Sequence, residues 1–404
     1  MRKKWICCFL WPCILFGLTL PGGAEEFAYR YREGDTYRIL STVKEDVYLD
    51  YRLNHRSEIL NRIAVKVTGA IDGRGRHEAV FQTSERTVEN AGNARSFQWS
   101  REYDSVFIRD AMGYIDIEKK YYMPVVRNVP VFPGGDLKPG ETWTAEGHEM
   151  HDFRDSFGIE EPYRIPFNAN YTYLGEREWE GGNYPAFSVS YRILSEPPAV
   201  RGRVWPSRIM GASDQIVYWD REMGQAAAYT ESFRMIFELS TGRIVEYRGT
   251  AEARLLESED MDKNRVAGRI AEEINSLNIP DASVRVDDEG ITISLENVQF
   301  QADSAVLPRQ EKSKLDRIAE ILLHYPERDI LIAGHTALAG TAEGRNRLSR
   351  ERAAAVAEYL IGKKVRGADR VVVRGYGAER PVADNDTEQN RSRNRRVEIT
   401  ILEN

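Results

Sequence analysis

A cluster of metal-binding residue types occupies positions 148–152, which read His-Glu-Met-His-Asp. The helical zinc motif places two histidines four residues apart, so that both lie on one face of a helix. Here His148 and His151 are three residues apart in a strand-like stretch, where such positions face opposite sides. The sequence offers no evident third ligand, so we expect no metal site and no other cofactor.

Catalytic motifs are also missing from the sequence. It contains neither a Gly-x-Ser-x-Gly nucleophile motif nor a Walker-type phosphate loop. Its 63 acidic residues must bring some carboxylates together by chance, so pairs of acids alone do not indicate acid–base catalysis. We expect a protein that is not an enzyme.

Arginines are frequent near the C-terminus, at positions 391, 393, 395 and 396, but acids stand close by at positions 384, 386 and 388. This mixture is typical of a solvated loop.

The net charge of the chain is −7, and removal of residues 1–24, which hold three basic residues and no acid, changes it to −10. An acidic chain has no general attraction to nucleic acid, so we expect no such partner.

The N-terminal segment has the order of a secretory signal peptide. Three basic residues at positions 2–4 precede an apolar run over residues 5–20, and Gly22-Gly23-Ala24 supplies the small residues that signal peptidase needs. The run is shorter than the ~20 residues of a membrane-spanning helix. We expect a signal peptide over residues 1–24, with cleavage after Ala24. All three cysteines lie within it, so the exported chain would contain no disulfide and no thiolate site.

Residues 25–255 read as an antiparallel β region. Stretches with period-two alternation are separated by turn pairs such as Asp-Gly, Gly-Gly and Thr-Gly. The expected strands include residues 27–32, 63–67, 215–219, 232–239 and 243–248. A Gly-acid-Thr-aromatic pattern occurs twice, at residues 34–37 and 140–143, each time at the start of a strand-like run. This echo suggests two β subdomains that meet near residue 130.

The pattern changes after residue 255. Residues 256–290 read as an acidic linker followed by a helix with apolar residues at 266, 270, 274 and 277, and residues 291–404 read as a further domain. Strands are expected there at residues 290–298, 330–333, 371–373 and 397–402, with amphipathic helices after the first and the second. This βαβαββ order predicts an α/β sandwich in which two helices cover one face of a mixed sheet. The fold class is therefore multidomain, with an all-β region followed by an α/β domain.

Six short motifs follow one another in the C-terminal domain. They are Val-Gln-Phe at 298–300 with Asp303-Ser304, Gly-His-Thr at 334–336 with Gly340, Leu-Ser-x-x-Arg-Ala at 348–353, Gly-Tyr-Gly at 375–377, Pro-Val-Ala-Asp-Asn at 381–385, and Asn-Arg-Arg-Val-Glu-Ile at 394–399. In this order and spacing, residues 291–402 resemble the OmpA-like peptidoglycan-binding domain of the OmpA family. One such motif would be a weak signal, but six in register are specific.

The resemblance implies a ligand and the residues that bind it. The family binds the stem peptide of peptidoglycan, often at diaminopimelate, which presents an ammonium and a carboxylate together. The position that is implied to bind the carboxylate is Arg352, whose planar guanidinium suits a bidentate hydrogen-bonded contact. Thr336 and the loop residues Asp303 and Ser304 are implied to add hydrogen bonds.

Two positions depart from the family pattern. Ala337 stands where the family has the Asp that reads the ammonium, and Arg345 stands where it usually has Asn. Loss of one partner of a buried ion pair typically costs ~2–5 kcal/mol. Three interpretations stay open: the domain binds a stem peptide with different chemistry at its third position, it uses Glu343 as a displaced carboxylate, or it has kept the fold and lost tight peptidoglycan binding.

These inferences predict an exported, non-enzymatic protein of a bacterial cell envelope, located in the periplasm at the cell wall, the outer membrane or both. Its OmpA-like domain would associate with peptidoglycan. For its β region three roles stay open: docking of an outer-membrane or periplasmic protein partner, binding of a small lipid or carbohydrate, or service as a spacer. One alternative is an outer-membrane β-barrel with a periplasmic OmpA-like anchor. The other is a periplasmic scaffold that no longer binds peptidoglycan. An enzyme within the β region is the least favoured hypothesis.

Overall fold

The computed structural model describes residues 24–88, 96–200, 202–256, 261–287, 289–296, 300 and 304–402. The expected signal peptide before Ala24, residues 257–260 of the acidic linker and the site residue Asp303 lie outside the described residues. The chain forms antiparallel strands up to Leu256 and a mixed α/β domain after it, which confirms the predicted fold class. No helix in the described part of the chain is long and apolar enough to cross a membrane.

Long antiparallel strands dominate residues 24–256, here called the β module. Its elements are β1 Glu25–Glu26, β2 Thr36–Leu49, β3 Arg52–Ile71, β4 Arg74–Thr87, β5 Phe97–Arg109, β6 Ile115–Ile117, β7 Val126–Arg127, β8 Asp136–Leu137, β9 Thr142–His151, α1 Arg154–Phe157, β10 Tyr163–Trp179, β11 Gly182–Ser195, β12 Pro206–Asp220, β13 Gln225–Leu239 and β14 Ile244–Leu256. Neighbouring strands pair in the order β9-β10-β11-β12-β13-β14-β2-β3-β4-β5, with β7 beside β9 and β6 beside β5. The pairing of β14 with β2 joins the two halves of the module into one sheet.

The prediction of a strand at residues 27–32 is wrong. Only Glu25–Glu26 pairs there, as β1 with β8, and residues 27–32 form no strand but bond to the turns after β5 and β12. The backbone N–H of Tyr29 donates to Ala111 O at 2.8 Å, and that of Arg30 donates to Gly224 O at 3.1 Å. The period-two alternation reflects burial instead, because Phe27 and Tyr29 lie in an aromatic cluster with Phe132, Tyr173, Phe187 and Trp219.

The repeated Gly-acid-Thr-aromatic pattern marks a structural repeat. Gly34 and Gly140 have φ angles of 94° and 93°, and β2 and β9 begin two residues after them. The N–H of Gly34 donates to Val67 O at 2.9 Å, and that of Gly140 donates to Tyr173 O at 2.7 Å. The hairpins β2–β3 and β9–β10 also share one register, since Thr36 faces Lys66 and Thr142 faces Thr172. Equivalent positions are 106 residues apart, so the same hairpin geometry occurs twice in the module, while the two subdomains stay a prediction.

Two of the turns that the sequence predicts are confirmed. Asp72-Gly73 connects β3 to β4, and Glu180-Gly181 connects β10 to β11. Their φ angles are 50°, 72°, 45° and 83°, which is the left-handed pair that a two-residue type I′ hairpin turn requires.

The C-terminal domain is a mixed sheet with helices on one face. Its elements are α2 Lys263–Ser276, β15 Ala282–Val286, β16 Gly290–Leu295, α3 Arg309–Leu322, β17 Ile330–Gly334, α4 Ala342–Gly362, a 3₁₀ turn Ala368–Arg370, β18 Val371–Gly375, α5 Glu388–Asn394 and β19 Val397–Leu402. The sheet order is β18-β17-β19-β16-β15, in which only β17 and β18 run parallel. The expected βαβαββ core is therefore extended by β15 and by the short helix α5.

Helix α2, which the sequence placed in the linker, packs into the core of the C-terminal domain. Asp262 caps it by accepting a hydrogen bond from the N–H of Arg265 at 3.0 Å. Val266, Ile270 and Ile274 recur at helical spacing and are buried in the same cluster as the side chains of β16, α3 and α4. Burial of one aliphatic side chain contributes ~1.5–3 kcal/mol to the free energy of unfolding. Because α2 buries three of them against the sheet, three helices rather than the expected two stabilise this face.

The β module covers part of the opposite face. Strand β18 runs parallel to the start of β5, where Val372 pairs with Phe97 and Val373 with Gln98. Trp99 packs against Leu331, Val372 and Leu402, and the guanidinium of Arg374 lies 4.4 Å from the Trp99 ring centroid. Arg62 of β3 donates to the buried Asp329 at 2.6 Å. The two parts of the chain thus share backbone pairing, apolar contact and an ion pair.

Candidate ligand-binding site beside helix α4

Glycines allow α4 to lie close to the strands that carry the candidate residues. Gly334 ends β17 and Gly375 ends β18. A Cβ at Gly334 would overlap the carbonyl oxygen of Ser349 in α4, and a Cβ at Gly375 would lie 2.7 Å from Ser349 Oγ. The absence of a side chain at these two positions therefore brings the Gly-His-Thr and Gly-Tyr-Gly motifs and α4 to one corner of the domain.

Ser349 joins the loops at this corner. It is fully buried, and its Oγ accepts a hydrogen bond from the N–H of Gly377 at 2.9 Å and donates to Asn346 O at 3.0 Å. The N–H of Thr336 donates to Gly377 O at 2.7 Å. The loop after β17, the loop after β18 and the first turns of α4 are thereby held as one unit.

His335 of the Gly-His-Thr motif is a packing residue. It is buried, its ring stacks on Tyr376 with centroids 5.2 Å apart, and its Nε2 lies 3.3 Å from Glu398 Oε2. Burial lowers the pKa of His335 in spite of that carboxylate. Glu398 also accepts two hydrogen bonds of 2.8 Å from Arg285. Burial alone would raise the pKa of Glu398, but His335 and Arg285 outweigh it and hold that pKa well below its usual range.

Arg352 and Ser304 are brought together, as the resemblance implies. Arg352 is 8% exposed, and its Nε–H donates to Ser304 O at 3.1 Å. Its guanidinium lies 5.0 Å from the ring centroid of Phe300. Thr336 is 7% exposed, and its Oγ1 has no hydrogen-bond partner among the residues that the structure describes. The site therefore holds a guanidinium in a fixed position and a buried hydroxyl with unused hydrogen-bonding capacity.

The loop between β17 and α4 carries the first departure from the family pattern. Ala337 is 6% exposed, so a methyl group is buried at the position where the resemblance implies a carboxylate. The next residue, Leu338, is 59% exposed, and its N–H donates to Asn385 Oδ1 at 2.9 Å. The loop is thus held to residues 381–385 through its backbone.

The first turns of α4 carry the other two residues in question. Arg345 Nη1 donates to Gly340 O at 2.6 Å, so this guanidinium stays against the loop. Glu343 is exposed and precedes Arg352 by nine residues, which at about 100° per residue places it on the opposite side of α4. The geometry does not favour Glu343 as a displaced carboxylate beside Arg352.

Asn394 is a central residue of this corner that the sequence did not single out as functional. It is fully buried at the end of α5, and its Oδ1 accepts from the N–H of Val382 at 2.8 Å and of Ala383 at 3.1 Å. Its Nδ2 donates to Ala383 O at 2.7 Å and to Asn385 Oδ1 at 3.1 Å. Asn385 in turn holds the loop of Ala337, so Asn394 positions the candidate site from a distance.

Metal chemistry gains no support at the histidine pair. In the described part of the chain, no group of three or more His, Cys, Asp or Glu side chains could hold a metal ion. His151 Nε2 lies 2.8 Å from Glu149 Oε2, whose other oxygen accepts from the hydroxyl of Tyr191 at 2.8 Å. Burial, together with Arg164 and Arg127, lowers the pKa of His148 to about 4.

Comparison with known proteins identifies the corner around α4. Residues 299–395 match the OmpA family. This segment is an OmpA-family domain. The chain is 37% identical over 105 residues to the probable lipoprotein YiaD of Escherichia coli (strain K12), a match that covers 26% of this chain and 48% of that protein. The chain is also 38% identical over 105 residues to the peptidoglycan-binding protein ArfA of Mycobacterium bovis, where the match covers 26% of this chain and 32% of the relative.

Among solved structures, the OmpA-family domain is similar to the peptidoglycan-associated lipoprotein from Burkholderia pseudomallei. The two are 32% identical with a TM-score of 0.24, and the match covers 26% of this chain and 88% of that one. The chain spans less than half the length of the two curated relatives, and the family match leaves the β module uncovered.

Proposed function

We propose that this chain is an exported, non-enzymatic cell-envelope protein whose OmpA-family domain associates with the stem peptide of peptidoglycan. We place it in the periplasm, at the cell wall, the outer membrane or both. The relatives ArfA and the Burkholderia lipoprotein, which are named for peptidoglycan, support this proposal. The signal-like N-terminus supports export.

The observation that carries the proposal is the fixed guanidinium of Arg352. Its side chain is held by Ser304 O and by the Phe300 ring before any ligand arrives. A binding group whose conformation is already restricted loses less entropy when the ligand binds. The nearby hydroxyl of Thr336 adds a hydrogen-bonding group at the same corner.

Retention on purified peptidoglycan sacculi tests this function. The full chain should sediment with sacculi, and Arg352→Ala should weaken retention about ten- to a hundredfold, because a charge-assisted hydrogen bond contributes ~1.5–3 kcal/mol. Arg347→Ala is the matched control, since Arg347 lies on the same helix with its side chain 68% exposed. Equal retention of the Arg352→Ala and Arg347→Ala variants would contradict the assignment.

A second candidate function is a periplasmic scaffold that has kept the fold and lost the wall ligand. Ala337 and Arg345 favour this function, because they remove an acid and add a base at the site. In that case the full chain would show no retention on sacculi, and the β module would carry the function by docking another envelope protein. The same sedimentation experiment separates the two candidates.

A further inference from the structure

Trp99 of the β module lies against the face of the C-terminal sheet that is opposite the helices. It packs on Leu331, Val372 and Leu402, beside the backbone pairing of β5 with β18. The guanidinium of Arg374, a residue of β18, lies 4.4 Å from the Trp99 ring centroid. A guanidinium over a tryptophan ring is attracted by the ring electrons. Trp99 therefore restricts the orientation of the Arg374 side chain.

Arg374 makes a second contact of the same kind, with Tyr376 of the Gly-Tyr-Gly motif. Its guanidinium lies 4.5 Å from the Tyr376 ring centroid. The Tyr376 ring in turn stacks on His335 of the Gly-His-Thr motif, with centroids 5.2 Å apart. Trp99, Arg374, Tyr376 and His335 thus form a continuous row of contacts between planar groups, here called the interface stack. It runs from the β module to both glycine motifs.

The loops at the end of the interface stack hold the candidate site together. The N–H of Tyr376 donates to Gly334 O at 3.0 Å, and the N–H of Thr336 donates to Gly377 O at 2.7 Å. The N–H of Gly377 donates to Ser349 Oγ of α4 at 2.9 Å. Tyr376, Thr336 and Ser349 are all buried, and a packed interior transmits a displacement instead of absorbing it. A shift of Tyr376 would therefore move both loops relative to α4.

We propose that Trp99 of the β module is a positioning residue for the candidate site and acts on it through Arg374 and Tyr376. The interface stack holds the Gly-His-Thr and Gly-Tyr-Gly loops in the arrangement that the ligand meets. The inference rests on the proposed peptidoglycan association. It adds to that association a residue that lies outside the segment matched by the OmpA family.

Hydrogen exchange of the full chain, followed by mass spectrometry, tests the positioning without a ligand. Trp99→Leu and Arg374→Gln each interrupt the interface stack, so exchange should become about fivefold faster in peptides covering residues 334–340 and 375–385. Exchange in α2 should not change, because α2 packs on the other face of the sheet.

Arg62→Gln is the matched control for the exchange experiment. It breaks the ion pair with Asp329, which crosses the same interface but lies before β17, at the end away from the glycine motifs. Both loops should exchange in this variant as in the unmodified chain. Unchanged loop exchange in Trp99→Leu and Arg374→Gln overturns the inference. Equal acceleration in α2 or in Arg62→Gln also overturns it, because that result would show general loosening.

Retention on diaminopimelate-type sacculi measures the consequence for binding. Trp99→Leu and Arg374→Gln should weaken retention of the full chain about three- to tenfold, whereas Arg62→Gln should change it less than about twofold. Trp99→Phe should retain more than Trp99→Leu, because both are smaller apolar residues but only Phe offers a ring face to Arg374. Equal retention by these two variants overturns the inference. No retention by the unmodified chain overturns the proposed function instead, and hydrogen exchange alone then decides the positioning.

Discussion

Replacement of Asn394 by Ala tests whether a buried amide organises the candidate site. The substitution removes four hydrogen bonds, of which three go to backbone groups of residues 382 and 383 and one goes to Asn385. Each such bond contributes ~0.5–1.5 kcal/mol net, so the free energy of unfolding should fall by about 2–6 kcal/mol. The site should also loosen, because Asn385 holds the N–H of Leu338 beside Ala337.

Urea denaturation measures the stability change, and sedimentation with sacculi measures the effect on the site. Asn390→Ala is the matched control on the same helix, because its Nδ2 makes a single side-chain bond, to the exposed Asp386 at 3.0 Å. The control should change the unfolding free energy by less than about 0.5 kcal/mol. If Asn394→Ala is no less stable than Asn390→Ala, the amide does not organise these loops.

Three further substitutions have expected outcomes in thermal or chemical denaturation. Gly334→Ala should destabilise the protein by about 1–3 kcal/mol, because its Cβ would overlap Ser349 O, and an unchanged melting temperature would contradict the packing described. Gly268→Ala, in α2 with open space around it, should stabilise by about 0.5–1 kcal/mol. Burial and the charge of Arg109 lower the pKa of His77 to about 4, below its usual 6.5. The stability that neutral His77 confers is therefore complete above pH 6.5 and lost toward pH 4, by about 3 kcal/mol, and His77→Phe should flatten that pH dependence.

Local patterns in the sequence predicted much of the fold. The strands at residues 63–67, 215–219 and 232–239 lie within β3, β12 and β13, and the turn at Asp72-Gly73 has the expected geometry. The apolar spacing of Val266, Ile270 and Ile274 identified α2 correctly. Such features depend on neighbouring residues, so a single sequence contains the information for them.

Features that depend on distant residues were missed or misread. The alternation at residues 27–32 gives the same pattern for a paired strand and for a segment without strand pairing whose alternate side chains are buried in an aromatic cluster. The packing of α2 against β16, and the contact of β5 with β18, join segments whose sequences carry no sign of each other. At the candidate site, the motifs located Arg352 and Thr336, but the role of Asn394 depends on a loop fold that only the structure shows.

The contact between β5 and β18 has a consequence for the solubility of the OmpA-family domain. Strand β18 lies at the edge of its sheet, and Val371, Val372 and Val373 are fully buried in the full chain. Removal of the β module would expose the backbone edge beside Val372 and the apolar surface that Trp99 covers. An exposed apolar edge strand pairs readily with other chains. We therefore expect the OmpA-family domain to aggregate more readily without the β module than with it.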